Sequence, residues 1–291
     1  THPESDPQTY TIITLSRLPR LLAAVFVGAA LSVAGLTYQD IFSNRMASPD
    51  LLGVSAGAGV GAAVSIYLGF SFWATGIFAF VGGILAVCLT VSTSKLFRGN
   101  SRSVASLILA GIVVGGLMNS LLGLFKYLSN DSQLASITFW LLGGFYNTTY
   151  LQLFIAAPLI VLGIVILFLF RWNIVMLRSG DSDAYTHGIN AKRLRIVCIV
   201  VTTTITAISI CISGTIGWIG LVIPNLVRLL VHNDGRKLMP LVIVYGILFT
   251  EICDLLARTI SNTEIPVGVI SGFIGAILFI VVLLIQTTRS K

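Results

Sequence analysis

An all-α, polytopic membrane protein is the fold class this sequence predicts, and three observations predict it. Of 291 residues, 56% are hydrophobic and only 10% charged, with a mean hydropathy of +0.96. That leaves too little polar material to cover a soluble domain. Apolar runs of about 20 residues recur, the length that crosses a bilayer as a helix. Strand-like alternation of polar and apolar residues is scarce, so helices, which satisfy their own backbone in lipid, are expected over a barrel.

Nine apolar segments follow in order: residues 18–37, 51–69, 72–93, 103–127, 149–170, 194–213, 216–231, 239–257 and 267–286. The first follows Arg17-Leu-Pro-Arg20 and is rich in small residues. The second carries Gly57 and Gly61 and the fourth Gly111 and Gly115, both at the GxxxG spacing that lets helix backbones approach closely in lipid. Close packing is one use of such a pair, and lining a pathway is the other. The seventh segment is short and contains Pro224, so a tilted or broken helix is expected there. All nine belong to one membrane domain, residues 1–291, with a polar loop at 178–195 inside it.

Orientation follows from Lys and Arg, because cytoplasmic loops retain positive charge. Alternate loops hold Arg45; Lys95, Arg98 and Arg102; Arg171, Arg178, Lys192, Arg193 and Arg195; Arg228, Arg236 and Lys237; and Arg289 and Lys291, fourteen of the eighteen basic residues. The opposite face holds Arg17, Arg20, Lys126 and Arg258. The N-terminus is therefore expected outside and the C-terminus inside. The net charge of +7 is then a flank bias with no need of nucleic acid. The polar opening THPESDPQTY lacks a basic start, so no signal peptide is visible. A chain that opens without Met is expected to have lost something upstream.

Several chemistries have no support. Cys88, Cys198, Cys211 and Cys253 lie in apolar runs with neither CxxC nor a nearby His pair, which predicts buried free thiols and indicates no disulfide or metal. His2, His187 and His232 are scattered. No GxxxxGK[ST] is present, so ATP hydrolysis must come from another chain, and no GxSxG or HExxH arrangement suggests an enzyme. Membrane-embedded charge is expected only at Glu251, Asp254 and Arg258, with Asp254 and Arg258 four apart on one face as a possible ion pair. The trio serves either as an outer-end pair or, less simply, as a proton relay.

The longest polar interruption is Arg178 to Arg195, RSGDSDAYTHGINAKRLR. Asp181 or Ser182 can cap a short helix through Asp183, Ala184 and Tyr185, with acidic groups at its positive end. Gly188 supplies a left-handed stop, and Asn190, after Ile189, can cap the next helix from Ala191. A helix, glycine, helix knob on the cytoplasmic face is therefore predicted.

The chain resembles the permeases of the iron-siderophore, haem and cobalamin family of ABC importers over nearly its whole length. The motifs are RLPR followed by VGAALSVAG; SPDLLGVSAGAGVG at Ser48 to Gly61; LILAG at Leu107 to Gly111; FWLLGGF at Phe139 to Phe145; GDSDAYTHGINAKRLR; and GTIGWIGLVIPNLVRLLVHNDGRKLMP at Gly214 to Pro240. The resemblance implies a bacterial cytoplasmic membrane protein that pairs with a second copy or a paralogue, with two ATPase subunits that hold ATP and Mg, and with an extracytoplasmic binding protein. No cofactor is implied on this chain. Gly180, Asp181, Ser182, Asp183, Ala184, Tyr185, Gly188, Ile189 and Asn190 become the coupling helix. Arg17, Arg20 and Arg258 become docking residues for the binding protein. The pathway is implied along the helix from Ser103 to Lys126, with Gly111 and Gly115, and with Asn44, Ser103, Val104 and Ala105 near the cytoplasmic gate.

The sequence departs from the family pattern in two ways. Ten spans are usual, and this chain begins in the loop after the first, which points to truncation, trimming or processing. The common Asn-Pro after the first visible span is Asn44-Arg45, and a common His after the later Pro is Asn225. The expected cargo is a ferric siderophore, with haem, cobalamin or molybdate as alternatives of the same class. An ion-coupled secondary transporter is the alternative of another class, disfavoured by the scarcity of acidic ligands at depth. An intramembrane enzyme is disfavoured by the missing catalytic set.

Overall fold

The computed structural model describes residues 10–96, 104–178, 180–231, 235–261 and 263–289. Among them there are helices and turns and no strand. The centre is α1 (Leu18–Ile41), entered through a π-helical turn at Ile12–Arg17. Every residue from Val27 to Phe42 is buried, because alanines, glycines and serines let four neighbours close on this helix from all sides. Those neighbours are α6 (Tyr150–Leu169), α9 (Ala191–Ser213), α10 (Ile219–Val231) and α11 (Gly235–Thr259).

Beside this group lie α2 (Val54–Tyr67), α3 (Phe72–Leu96) and α4 (Val104–Leu128), and α12 (Val267–Arg289) packs on α10 and α11. Among the described residues, seven helices are long and apolar enough to cross a membrane, and Val54–Tyr67 and Ile219–Val231 are shorter. The span expected over 51–69 thus needs correction. It begins as a 3-10 turn, Pro49–Leu52, passes through Gly53 at φ +79°, and only then becomes a 14-residue helix. Pro49 cannot donate its backbone nitrogen and Gly53 sits in the left-handed region, so a continuous helix is blocked. The short seventh segment is α10, with Pro224 inside it.

Besides the predicted knob helix, two further helices among the described residues lie outside the nine segments. The first is α5 (Asp131–Leu142), which opens with a full capping box: Asn130 Oδ1 accepts from Gln133 N at 2.9 Å, and Gln133 Oε1 accepts from Asn130 N at 3.1 Å. Its polar start hides it from a hydropathy reading, although Asn-x-x-Gln was a visible signal. The second is α7 (Arg171–Arg178), amphipathic and anchored by buried Ile174 and Leu177.

Glycines set the closest helix crossings. A methyl group on Gly57 would meet Gly82 O at 2.4 Å, and one on Gly61 would meet Phe78 O at 2.0 Å, so this pair packs α2 against α3. A methyl on Gly35 would lie 1.8 Å from Gly220 O, so α1 and α10 touch backbone to backbone. All four cysteines are free thiols. Cys198 and Cys253 are buried as expected, whereas Cys88 is exposed on the apolar face of α3.

Candidate functional site

The polar interruption folds into α7 and α8 (Asp181–Thr186) at one end of the bundle. The N-cap of α8 is Gly180, at φ +118°, with no side-chain cap. This corrects the expectation of Asp181 or Ser182 as cap: the helix starts one residue earlier, because only glycine readily takes that φ. The side chains of Asp181 and Ser182, like Ser103 as a whole, lie outside the described residues. The other end of α8 matches expectation. Gly188 lies at φ +74°, its N–H donates to Tyr185 O at 2.9 Å, and Ile189 N–H reaches Ala184 O at 2.9 Å, a Schellman stop. Asn190 Oδ1 then accepts from Arg193 N at 3.0 Å and caps α9. Ala184 is fully buried beneath the knob while Tyr185 is 81% exposed on top of it.

The turn after α1 ties the knob to the bundle. Ser43 Oγ donates to Leu177 O and Arg178 O, both at 3.3 Å. Arg195 Nε donates to Ile41 O at 3.0 Å, and Asn225 Nδ2 to Arg45 O at 2.9 Å. Arg45 and Asn225 therefore touch each other. Asn44 Oδ1 accepts from Met46 N at 2.9 Å, so this side chain shapes the turn.

Beneath the turn Arg228 Nη2 meets Asp40 Oδ1 at 2.9 Å, and Nη1 donates to Gln39 Oε1. Both ionic side chains are buried. This corrects the expectation that embedded charge is confined to one helix, since Asp40 closes α1 and Arg228 lies on α10. The pair escaped sequence reading because each residue lies near a segment end, where a charge seems free to reach water.

At the opposite end Arg20 Nε donates to Asp254 Oδ1 at 2.7 Å, and Nη1 to Glu264 Oε2 at 2.8 Å. Arg258 Nη2 pairs with Asp254 Oδ2 at 3.0 Å, so the expected pair forms. Asp254 is fully buried between the two arginines. Arg20, expected as a docking residue, is only 7% accessible, and its guanidinium is already engaged. Arg17 is exposed, and Arg258 is partly so. Glu264 was missed, and a lone carboxylate in a loop carried no sequence signal.

Midway along the bundle an open cavity of about 720 Å³ lies between the 3-10 turn, α4, and residues 215–217. The structure separates the expected pathway residues around it. Gly111 and Gly115 both line it, but a methyl on Gly111 would meet Leu51 O at 1.9 Å, whereas nothing lies within 4 Å of one on Gly115. Gly111 is thus a packing glycine and Gly115 an open one. Val104 lines a different cavity, of about 660 Å³, with Lys192 and Arg195, and Ala105 is exposed. Asn44 is on neither wall.

Comparison with known proteins now adds an identity. A model of the FecCD transport family matches residues 2–285. The chain belongs to that family. A FecCD chain of this extent is an ABC importer permease, a multi-pass membrane protein. It is 36% identical to the molybdate import system permease of Haemophilus influenzae, covering 95% of this chain and 82% of that protein. It is 37% identical to the probable iron chelatin permease of Helicobacter pylori strain 26695, over 96% of this chain and 84% of that one. Haem and cobalamin permeases also match. Among solved structures, an inward-facing metal-chelate-type ABC transporter superposes with a TM-score of 0.90 at 32% identity, covering 96% of this chain and 89% of that one.

Proposed function

We propose that this FecCD chain passes a ferric siderophore across a bacterial cytoplasmic membrane, along the axis between two permease copies. Two ATPase subunits, which hold the ATP and Mg, engage the α8 knob, and an extracytoplasmic binding protein meets the opposite end through Arg17 and Arg258. The N-terminus of the chain then lies outside and its C-terminus inside, as the basic-residue bias requires.

One observation carries the cargo: apart from the Asp50 carboxylate, the lining of the 720 Å³ cavity is glycine, hydroxyl, amide and aliphatic, with no Lys, Arg or His among the described residues. A bulky chelate can slide along such a wall, whereas a bare oxyanion such as molybdate finds no cation to pair with. Haem and cobalamin are the nearest rivals. An ion-coupled mechanism finds no support at Asp254, whose charge two arginines already neutralise.

The knob supports borrowed power. It is short, rigidly stopped at both ends, and tied by Ser43 to the turn that closes α1, so a push on Tyr185 is delivered to the central helix. The test is ATP-dependent uptake into proteoliposomes holding the permease, its ATPase and its binding protein. Accumulation of a radiolabelled ferric siderophore in preference to haem, cobalamin and molybdate is expected, and preferential uptake of another cargo would overturn the assignment.

A further inference from the structure

Among the described residues, Asp50 is the only charged side chain on the wall of the 720 Å³ cavity. It lies in the first turn of Pro49–Leu52, is exposed, and accepts a hydrogen bond from Ser55 Oγ. It has no ion-pair partner among the described residues, in contrast to the buried Asp40 and Asp254. Ser48, Asn119 and Thr215 add only neutral polar groups. On its other side is a small cavity of about 20 Å³, lined by Ser48, Asp50 and Thr206. The Thr206 hydroxyl is buried without a partner among the described residues. That space is large and polar enough for one water. The carboxyl group thus has a cavity on each side, and no described cation lies within ion-pair distance of it.

On a cavity wall with no other charge beside it, one uncompensated carboxylate sets the local potential. We propose that Asp50 is the charge-selecting residue of the translocation path: it favours neutral and cationic metal chelates and repels anionic chelates and oxyanions. The inference rests on the cargo reading above and narrows it to a charge class. If the path runs between two copies, each copy contributes an Asp50 and the repulsion adds.

The experiment uses the purified permease–ATPase complex without the binding protein, so that only the path selects. Binding of a singly cationic ferric trihydroxamate and of a triply anionic ferric triscatecholate is measured by titration calorimetry, with basal ATPase activity as the check of an intact complex. The unaltered complex is expected to prefer the cationic chelate by about tenfold or more. Asp50→Asn, which keeps the acceptor for Ser55, is expected to remove most of that preference, and Asp50→Lys to invert it. Equal binding of both chelates that Asp50→Asn leaves unchanged overturns the inference alone. Binding of neither chelate overturns the cargo reading and the inference with it.

Discussion

At the scale of single residues, the buried charges are the most exposed to mutation. Asp254 is shared by Arg20 and Arg258, and removing it takes the carboxylate from Arg258 and leaves Arg20 with Glu264 alone. Losing one partner of a buried ion pair costs about 3–5 kcal/mol, far more than the intact pair contributes. Asp254→Ala is therefore expected to lower the thermal midpoint of the detergent-solubilised protein by several degrees. Arg20→Met combined with Asp254→Leu should recover much of the loss. A single variant as stable as the parent would show that Glu264, water or lipid headgroups satisfy the arginines. The sequence exposed half of this cluster. Asp254 and Arg258 are four apart on one helix, but the contact of Arg20 with Asp254 spans 234 residues, and no local spacing encodes it.

At the scale of elements, the knob and the glycine crossings behave differently although both depend on glycine. Gly188 has nothing within 4 Å of where a side chain would begin, so its requirement is conformational. Gly188→Val should cost about 1–3 kcal/mol locally, leave membrane insertion intact, and weaken co-purification with the ATPase; Gly188→Asn should be milder. Normal association of the valine variant would remove the knob from the coupling interface. Gly111 and Gly115 give the converse pair. Gly111→Cys forces a side chain into the Leu51 carbonyl and is expected to reduce yield, whereas Gly115→Cys should be tolerated and react with a water-soluble thiol reagent. Spacing made these two glycines equivalent. Only the neighbouring backbone distinguishes them, because the 3-10 turn crosses α4 at one and leaves the other open.

At the scale of the whole molecule, the basic-residue bias makes a topological claim. Tyr185 on α8 and Tyr146 at the opposite end are both exposed. In a background without the native cysteines, Tyr185→Cys should label with an impermeant reagent only from the cytoplasmic side and Tyr146→Cys only from outside. Labelling of both from one side would reverse or break the assigned topology. The broad apolar faces of α4, α6 and α12 remain uncovered in one copy, and lipid or a second copy must meet them.

The sequence by itself determined the class, the apolar helices, the order of motifs and the caps at Gly188 and Asn190, because these follow from local hydropathy and from backbone conformations that a few residues dictate. It did not show α5, whose first turn is polar, or α7, whose apolar residues cover only one side, nor the 3-10 break before α2. Tertiary structure alone decided that Arg20 is engaged inside the protein, that Asp40 and Arg228 join across two helices, and that Asp50 lies uncompensated on a cavity wall. These are distances between residues far apart in the chain. A buried charge is costly or harmless according to what packing brings beside it, which composition and spacing do not record.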